Sequence, residues 1–125
     1  MDAGTAFLNV AALVTAGFGA IYLVRSRGMA SLVGIELPSR SARADFRAIY
    51  GGAQVGIGLF FAACARHAGW ELPGLWAVAL FAGGFGLARL GSLTVDRAGW
   101  NPQWVVGALE LFVGAVATWL AIQAR

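Results

Sequence analysis

The stretch Trp104–Ile122, WVVGALELFVGAVATWLAI, carries one ionisable side chain, Glu110, in an otherwise apolar run. Because a helix rises about 1.5 Å per residue, a run of this length can cross the roughly 30 Å hydrocarbon core of a bilayer. Three earlier stretches, at residues 6–24, 48–65 and 72–95, are apolar over a similar length. Lipid offers no partners to open backbone groups, and none of these runs alternates as a barrel strand does. We therefore predict an all-α membrane protein, a four-helix transmembrane bundle.

The composition of the whole chain agrees with this fold class. Charged residues make up 12% of the 125 residues and hydrophobic residues 59%, whereas about a quarter of a soluble domain is charged. A soluble domain this small would need more polar side chains to cover its large surface. We therefore predict a single transmembrane domain over residues 1–125, and no nucleic-acid-binding module despite the net charge of +3. Because one cysteine and one histidine cannot form a zinc site, we expect no metal and no cofactor.

The arginines are distributed unevenly between the connections, and this distribution predicts an orientation. The first and third connections hold most of them, namely Arg25, Arg27, Arg40, Arg43 and Arg97. The opposite side has Arg66 and Arg125. By the positive-inside rule, the first and third connections are cytoplasmic and both termini lie outside, in a bacterial inner membrane. The multi-pass chain would meet anionic membrane lipids on its cytoplasmic side.

The first cytoplasmic connection, at residues 25–47, is unusually long. Its residues 29–37 are semi-apolar, and we expect this piece to lie on the cytoplasmic interface or to cap the bundle. Pro38 suits the first turn of a helix. We therefore predict that the second span begins as a helix well before it enters the membrane.

Three of the four spans carry polar residues at a similar depth in the cytoplasmic half. Arg89 lies about six residues before the end of span three, and Glu110 lies about six residues after the start of span four. At the rise of a helix, each residue is therefore roughly 9 Å from the cytoplasmic boundary. An isolated charge in the membrane costs about 2.5 to 3.5 kcal/mol, so the two should face inward and form an ion pair. On span two, Arg47, Tyr50 and Gln54 share one helical face through their i, i+3, i+7 spacing. These residues form a predicted polar layer.

Roles in the polar layer follow from the chemistry of its side chains. Asp96 lies two helical turns beyond Arg89, at the cytoplasmic mouth of the layer. The candidate catalytic residues are Glu110, Tyr50 and Asp96, and the candidate ligand-binding residues are Arg47, Gln54 and Arg89. Ionisable residues within a membrane indicate a functional site by default. A structural interpretation stays open, in which paired charges fix the helix register and arginines extend toward the headgroups.

Small residues recur at helical spacing, as is typical of helices that approach closely in a membrane. They are Ala12, Ala16 and Ala20 on span one, Gly51, Gly52, Gly56 and Gly58 on span two, and Gly107 and Gly114 on span four. Such rows indicate a tightly packed bundle. They would serve equally well as the surface of a homodimer.

The polar residues also carry a resemblance to a known family. The chain resembles a bacterial family of short four-helix membrane proteins at three places. These are the run Asp45–Gly52 (DFRAIYGG), the run Ala88–Gly91 (ARLG) with Asp96, and Glu110 in the last span. That family is labelled only as a domain of unknown function. The resemblance covers nearly the whole chain and is most specific at Asp45–Gly52. It implies four spans and brings no established activity.

Three functions are open at this point. In the first, the polar layer binds the polar end of a small amphiphilic or lipid-like molecule, with or without acid/base catalysis of an isomerisation or epoxide opening. In the second, the protein is a small proton-coupled transporter that acts as a dimer, with Glu110 carrying the proton. In the third, it is an accessory or assembly subunit whose polar layer docks onto a membrane partner. The convergence of polar residues on one layer favours the first, and the sequence leaves open whether the protein is an enzyme.

Overall fold

A computed structural model describes residues 1–124, and every regular element within them is helical. The elements in chain order are α1 (Ala3–Val24), α2 (Ser26–Leu32), α3 (Arg40–Phe46), a π-helical segment (Arg47–Gly52), α4 (Ala53–Cys64), α5 (Glu71–Val95) and α6 (Gln103–Gln123). The all-α prediction is therefore confirmed. Arg125, which entered the predicted orientation, lies outside the described residues.

Four helices of the described chain are long and apolar enough to cross a membrane. They are Ala3–Val24, Arg40–Cys64, Glu71–Val95 and Gln103–Gln123, where the sequence predicted spans at 6–24, 48–65, 72–95 and 104–122. Large apolar side chains lie on their outer surfaces, as in the cases of Leu13, Leu80 and Phe112, which are 76%, 71% and 66% exposed. So much exposed apolar surface is unusual for a soluble monomer and is compatible with a membrane protein.

The second of these helices begins earlier than the predicted span because its start is capped. Ser39 precedes α3 in an extended conformation, and its hydroxyl accepts a hydrogen bond from the Ala42 backbone N–H at 3.0 Å. This bond satisfies one of the free N–H groups at the helix start. The early start was predicted, but Pro38 lies just before the cap and not in the first turn, so that part of the prediction is wrong.

A π-helical segment, Arg47–Gly52, joins α3 to α4 within this helix. π-Helical turns are rare and occur frequently at functional sites. The segment contains most of the Asp45–Gly52 run. Around it the Tyr50 ring stacks on Phe46 at a centroid distance of 4.6 Å, and Tyr22 of α1 lies 5.6 Å from Phe46 and 5.8 Å from Tyr50. These three rings fix the segment against α1.

The semi-apolar piece at residues 29–37 is not one element. Its first part completes α2, and the chain then turns at Val33 and Gly34. Gly34 has a φ of +75°, which glycine adopts without the steric cost that a side chain brings. The placement of this piece at a membrane interface stays a prediction.

The described residues divide into two compact units, and α1 contributes to both. The first unit is Met1–Leu8 together with residues 64–124, and the second unit is Asn9–Ala63. In the first unit, Leu8, Cys64 and Leu75 are fully buried. At its start, the Asp2 carboxylate accepts a hydrogen bond from the Thr5 backbone N–H at 2.8 Å, which lowers the pKa of that carboxyl below its ordinary value.

Helices α1 and α4 touch through backbone in the second unit. A Cβ atom on Gly58 would lie 2.6 Å from the Ala16 nitrogen and 2.9 Å from the Ala12 carbonyl oxygen. No side chain fits at such a distance, so glycine permits the approach. Ala12 and Ala16 of the predicted row are confirmed as a contact surface, whereas Ala20, the third member, is exposed.

The glycine row of the second span is only partly as predicted. Gly51 and Gly58 face α1, because a Cβ on Gly51 would meet the Leu23 side chain at 2.6 Å. Gly52 and Gly56 face open space: a Cβ there would have no neighbour closer than 3.8 Å. Gly52 and Gly56 are therefore not part of the contact with α1, since residues one and two positions away in a helix point to different sides. Their alternative role, as part of a homodimer surface, stays a prediction.

Candidate functional site

Arg89 of α5 and Glu110 of α6 form a two-pronged ion pair in the first unit. The Arg89 Nε donates to Glu110 Oε2 at 2.9 Å, and Nη2 donates to Oε1 at 2.8 Å. Paired, parallel bonds of this kind are among the stronger interactions of charged side chains, because the planar guanidinium matches the carboxylate. The ion pair predicted from the equal depth of the two residues is confirmed.

Gln103 completes the arrangement, and the sequence analysis missed it. Its Oε1 accepts a hydrogen bond from Arg89 Nη1 at 2.5 Å. Gln103 is the first residue of α6 and lies seven residues before Glu110, so both side chains share one face of that helix. This spacing was the available signal. We call Arg89, Gln103 and Glu110 the Arg89 cluster.

The beginning of α6 is held in place beside the cluster. The Asn101 side-chain oxygen accepts a hydrogen bond from the Gln103 backbone N–H at 2.9 Å, and the Asn101 amide donates to the Gly99 carbonyl at 3.1 Å. Asparagine commonly closes such turns because its short side chain reaches the backbone two residues on. The turn therefore fixes where Gln103 stands relative to Glu110.

Small residues bring α5 and α6 close enough for these bonds to form. A Cβ on Gly107 would lie 2.7 Å from Leu90 Cδ2 and 3.4 Å from Arg89 Cδ, and a Cβ on Gly86 would lie 2.9 Å from the Gly107 carbonyl oxygen. A Cβ on Gly114 would lie 2.9 Å from the Gly83 nitrogen. The predicted packing role of Gly107 and Gly114 is confirmed. The close contact at these glycines sets the distance between α5 and α6 across which the Arg89 side chain reaches Glu110.

The cluster is accessible from outside the hairpin that α5 and α6 form. The side chains of Arg89 and Glu110 are 31% and 22% exposed. The large exposed side chains of the same two helices are apolar, as at Leu87, Val106 and Leu109, and the exposed polar residues of α5 near Arg89 are the small Ser92 and Thr94. The hairpin thus presents one small, charge-paired polar spot on a largely apolar surface.

The candidate residues of the second span lie in the second unit, on the side that meets α1. Tyr50 packs beside Tyr22, Gln54 Cβ lies next to Gly19, and Arg47 lies with the arginines at the end of α1. The predicted sharing of one face is therefore confirmed. Their membership of one layer with Arg89 and Glu110 stays a prediction, as do the roles given to them.

Asp96 is the C-cap residue of α5 and is exposed. Its backbone N–H bonds to the Ser92 carbonyl at 2.9 Å. Its catalytic role stays a prediction. Within the second unit, Arg47 and Asp45 form no ion pair.

Metal ligands do not gather anywhere in residues 1–124: no three His, Cys, Asp or Glu side chains lie close enough to hold an ion. Cys64 is a buried free thiol, packed beside Gly74. A Cβ on Gly74 would lie 2.6 Å from Cys64 Cβ, so this cysteine fills the contact between two helices.

A family model described as "Domain of unknown function (DUF4345)" matches residues 4–121, which includes both units and the whole Arg89 cluster. This match agrees with the family label that the sequence motifs suggested. Comparison with curated proteins gives no match, and comparison with solved structures gives none. The chain belongs to the DUF4345 family, whose function is undefined.

Proposed function

We propose that this chain is a multi-pass protein of the bacterial inner membrane that binds the polar end of a small amphiphilic molecule at the Arg89 cluster. The observation that carries the proposal is the partly exposed Arg89–Glu110 pair on a largely apolar hairpin. A membrane protein keeps such a group where it serves a ligand or a proton, because charges in lipid are costly.

Membrane placement is supported by the four long apolar helices and by their exposed apolar side chains. The orientation has α2 and α3 in the cytoplasm and both termini outside, since arginines accumulate in the first and third connections. The Arg89 cluster then lies in the cytoplasmic half of the membrane.

We expect cysteine labelling to reproduce this orientation. In a Cys64→Ala background, a membrane-impermeant maleimide applied to spheroplasts should label Ala68→Cys, in the connection before α5, and leave Ser31→Cys of α2 unlabelled. Both positions are exposed, so both should react once the membrane is permeabilised. Labelling of Ser31→Cys in intact spheroplasts would reverse the orientation, and recovery of the chain in the soluble fraction would exclude membrane placement.

The bonds of the cluster indicate which ligands it suits. An ionised carboxylate offers about four lone-pair sites, of which the bonds from Arg89 occupy two. A hydroxyl or amine of a ligand can use the others, with its apolar part lying along the exposed apolar side chains of α5 and α6. A hydroxyl-bearing amphiphile therefore fits this site better than an anion, which the carboxylate would repel.

Native mass spectrometry of the detergent-purified protein tests the proposal. The wild type should carry a discrete bound mass, and Glu110→Gln should lose it by about tenfold or more, because a hydrogen bond to a charged group contributes about 1.5 to 3 kcal/mol. Glu36→Gln, an exposed carboxylate in the first connection, is the matched control and should retain the ligand. Equal retention in Glu110→Gln would overturn the proposal. A clean apo mass in all three proteins would also overturn it and would favour the transporter or accessory-subunit hypotheses.

A further inference from the structure

Four arginines surround one open concavity of about 540 Å³ in the second unit. They are Arg25, Arg27, Arg43 and Arg47, and the remaining lining residues are Val24, Ser26 and Gly28. We call this the arginine pocket. It lies at the end of α1, and its lining includes no residue of the Arg89 cluster.

Local structure brings these arginines together from two parts of the chain. Arg25 lies in a bend between α1 and α2, with a φ of −114° and a ψ of 41°, although its N–H still bonds to the Ile21 carbonyl at 2.8 Å. Arg27 follows two residues later, in α2. Arg43 and Arg47 are four residues apart and therefore lie on one side of their helix. That side faces the end of α1.

The charge of the arginine pocket is not balanced by protein. Among residues 1–124, none of its four arginines belongs to an ion pair, and no acidic residue lines the pocket. The acidic residues of the second unit, Glu36 and Asp45, are exposed and lie outside the lining. Four guanidinium groups around one cavity repel each other, so an anion within it would lower the energy of the arrangement.

An apolar concavity adjoins the arginine pocket. It has a volume of about 480 Å³, is lined by Ala20, Ile21, Val24 and Arg25, and shares Val24 and Arg25 with the arginine pocket. Val24 is 80% exposed at this boundary. A positive cavity that continues into an apolar groove matches a molecule with an anionic head and a hydrocarbon tail.

We propose that the arginine pocket binds the phosphate group of an anionic phospholipid, whose acyl chain lies in the groove beside α1. Guanidinium groups bind phosphate through paired hydrogen bonds, and the cytoplasmic leaflet, where the proposed orientation places the pocket, is rich in anionic lipid. The inference rests on the proposed membrane location and not on ligand binding at the Arg89 cluster, so either can fail alone.

The test uses the delipidated full chain in detergent, titrated with phosphatidylglycerol or with phosphatidylcholine of the same acyl chains, and read by native mass spectrometry. We expect the wild type to bind phosphatidylglycerol at least about tenfold more tightly than it binds phosphatidylcholine. Each arginine near a membrane surface contributes about fivefold, so Arg43→Gln/Arg47→Gln should bind phosphatidylglycerol about 25-fold more weakly. Arg40→Gln removes one positive charge from α3 outside the pocket, as each of the two substitutions does within it, and should bind as the wild type does.

Further arms separate the outcomes. Circular dichroism and elution volume confirm that the double variant is folded, and Arg43→Lys/Arg47→Lys, which keeps the charge, should recover part of the affinity. Equal binding of the two lipids, or an equal loss in Arg40→Gln, would overturn the proposal. If inorganic phosphate displaces phosphatidylglycerol at the same concentration as the lipid, the site binds free anion and the lipid assignment fails.

Discussion

Glu110→Leu is expected to lower the free energy of unfolding by about 2 kcal/mol. The substitution leaves the Arg89 guanidinium without its carboxylate on an apolar hairpin, and arginine cannot become neutral by losing a proton. The expected loss is smaller than the 2.5 to 3.5 kcal/mol of a charge at the bilayer centre, because Arg89 lies only about six residues from the end of its span and still bonds to Gln103. Unfolding in mixed micelles, followed by circular dichroism, measures the change.

Replacing Arg89 alone, and then both residues together, separates the effect of the charges on stability from the effect of packing. Arg89→Leu should also lower the free energy of unfolding, because it leaves the Glu110 carboxylate without its guanidinium partner. Arg89→Leu/Glu110→Leu should recover most of the stability, since a leucine pair replaces an ion pair at little cost. Glu36→Leu, at an exposed carboxylate, is the control and should change little. A loss of stability in Arg89→Leu/Glu110→Leu equal to the sum of the two single losses would contradict the ion-pair account.

Gly58→Ala is the second substitution with a large expected effect. Its Cβ would meet the backbone nitrogen of Ala16 at 2.6 Å and the Ala12 carbonyl oxygen at 2.9 Å, so α1 and α4 must separate. Backbone cannot rotate away as a side chain can, and overpacking of this kind costs about 1 to 3 kcal/mol. The same unfolding measurement should show that loss.

Gly56→Ala provides a matched control on the same helix. A Cβ at Gly56 has no neighbour within 4 Å, so only helix propensity changes, and that favours alanine by about 0.5 to 1 kcal/mol. Gly56→Ala should therefore be neutral or slightly stabilising. Similar losses for both alanines would mean that helix propensity, and not the contact between α1 and α4, explains the glycine at position 58.

The four long helices and the Arg89–Glu110 pair were predictable because each depends on local rules. Uninterrupted apolar runs define the helices, and the short connection between α5 and α6 forces residues equally far from it to the same level. A charge at that level needs a partner, and the other helix offers only one. The pair therefore followed from counting residues.

Features that depend on the direction of a helix face were not predictable in the same way. Gly51 and Gly58 are separated by seven residues and Gly52 and Gly56 by four, and both spacings form a row on a helix. Only the packing of α1 decides which row is used. The arginine pocket was missed for a related reason: Arg25 and Arg27 meet Arg43 and Arg47 through a turn whose path the composition does not fix.

The measurement that tests the central claim most directly is native mass spectrometry of folded Arg89→Leu/Glu110→Leu beside the wild type. This double variant removes the polar spot while keeping the stability of the hairpin, so a lost ligand cannot be attributed to unfolding. The account predicts a discrete bound mass on the wild type and a clean apo mass on the folded double variant. The same bound mass on both proteins would contradict binding at the Arg89 cluster and leave the ion pair with a structural role.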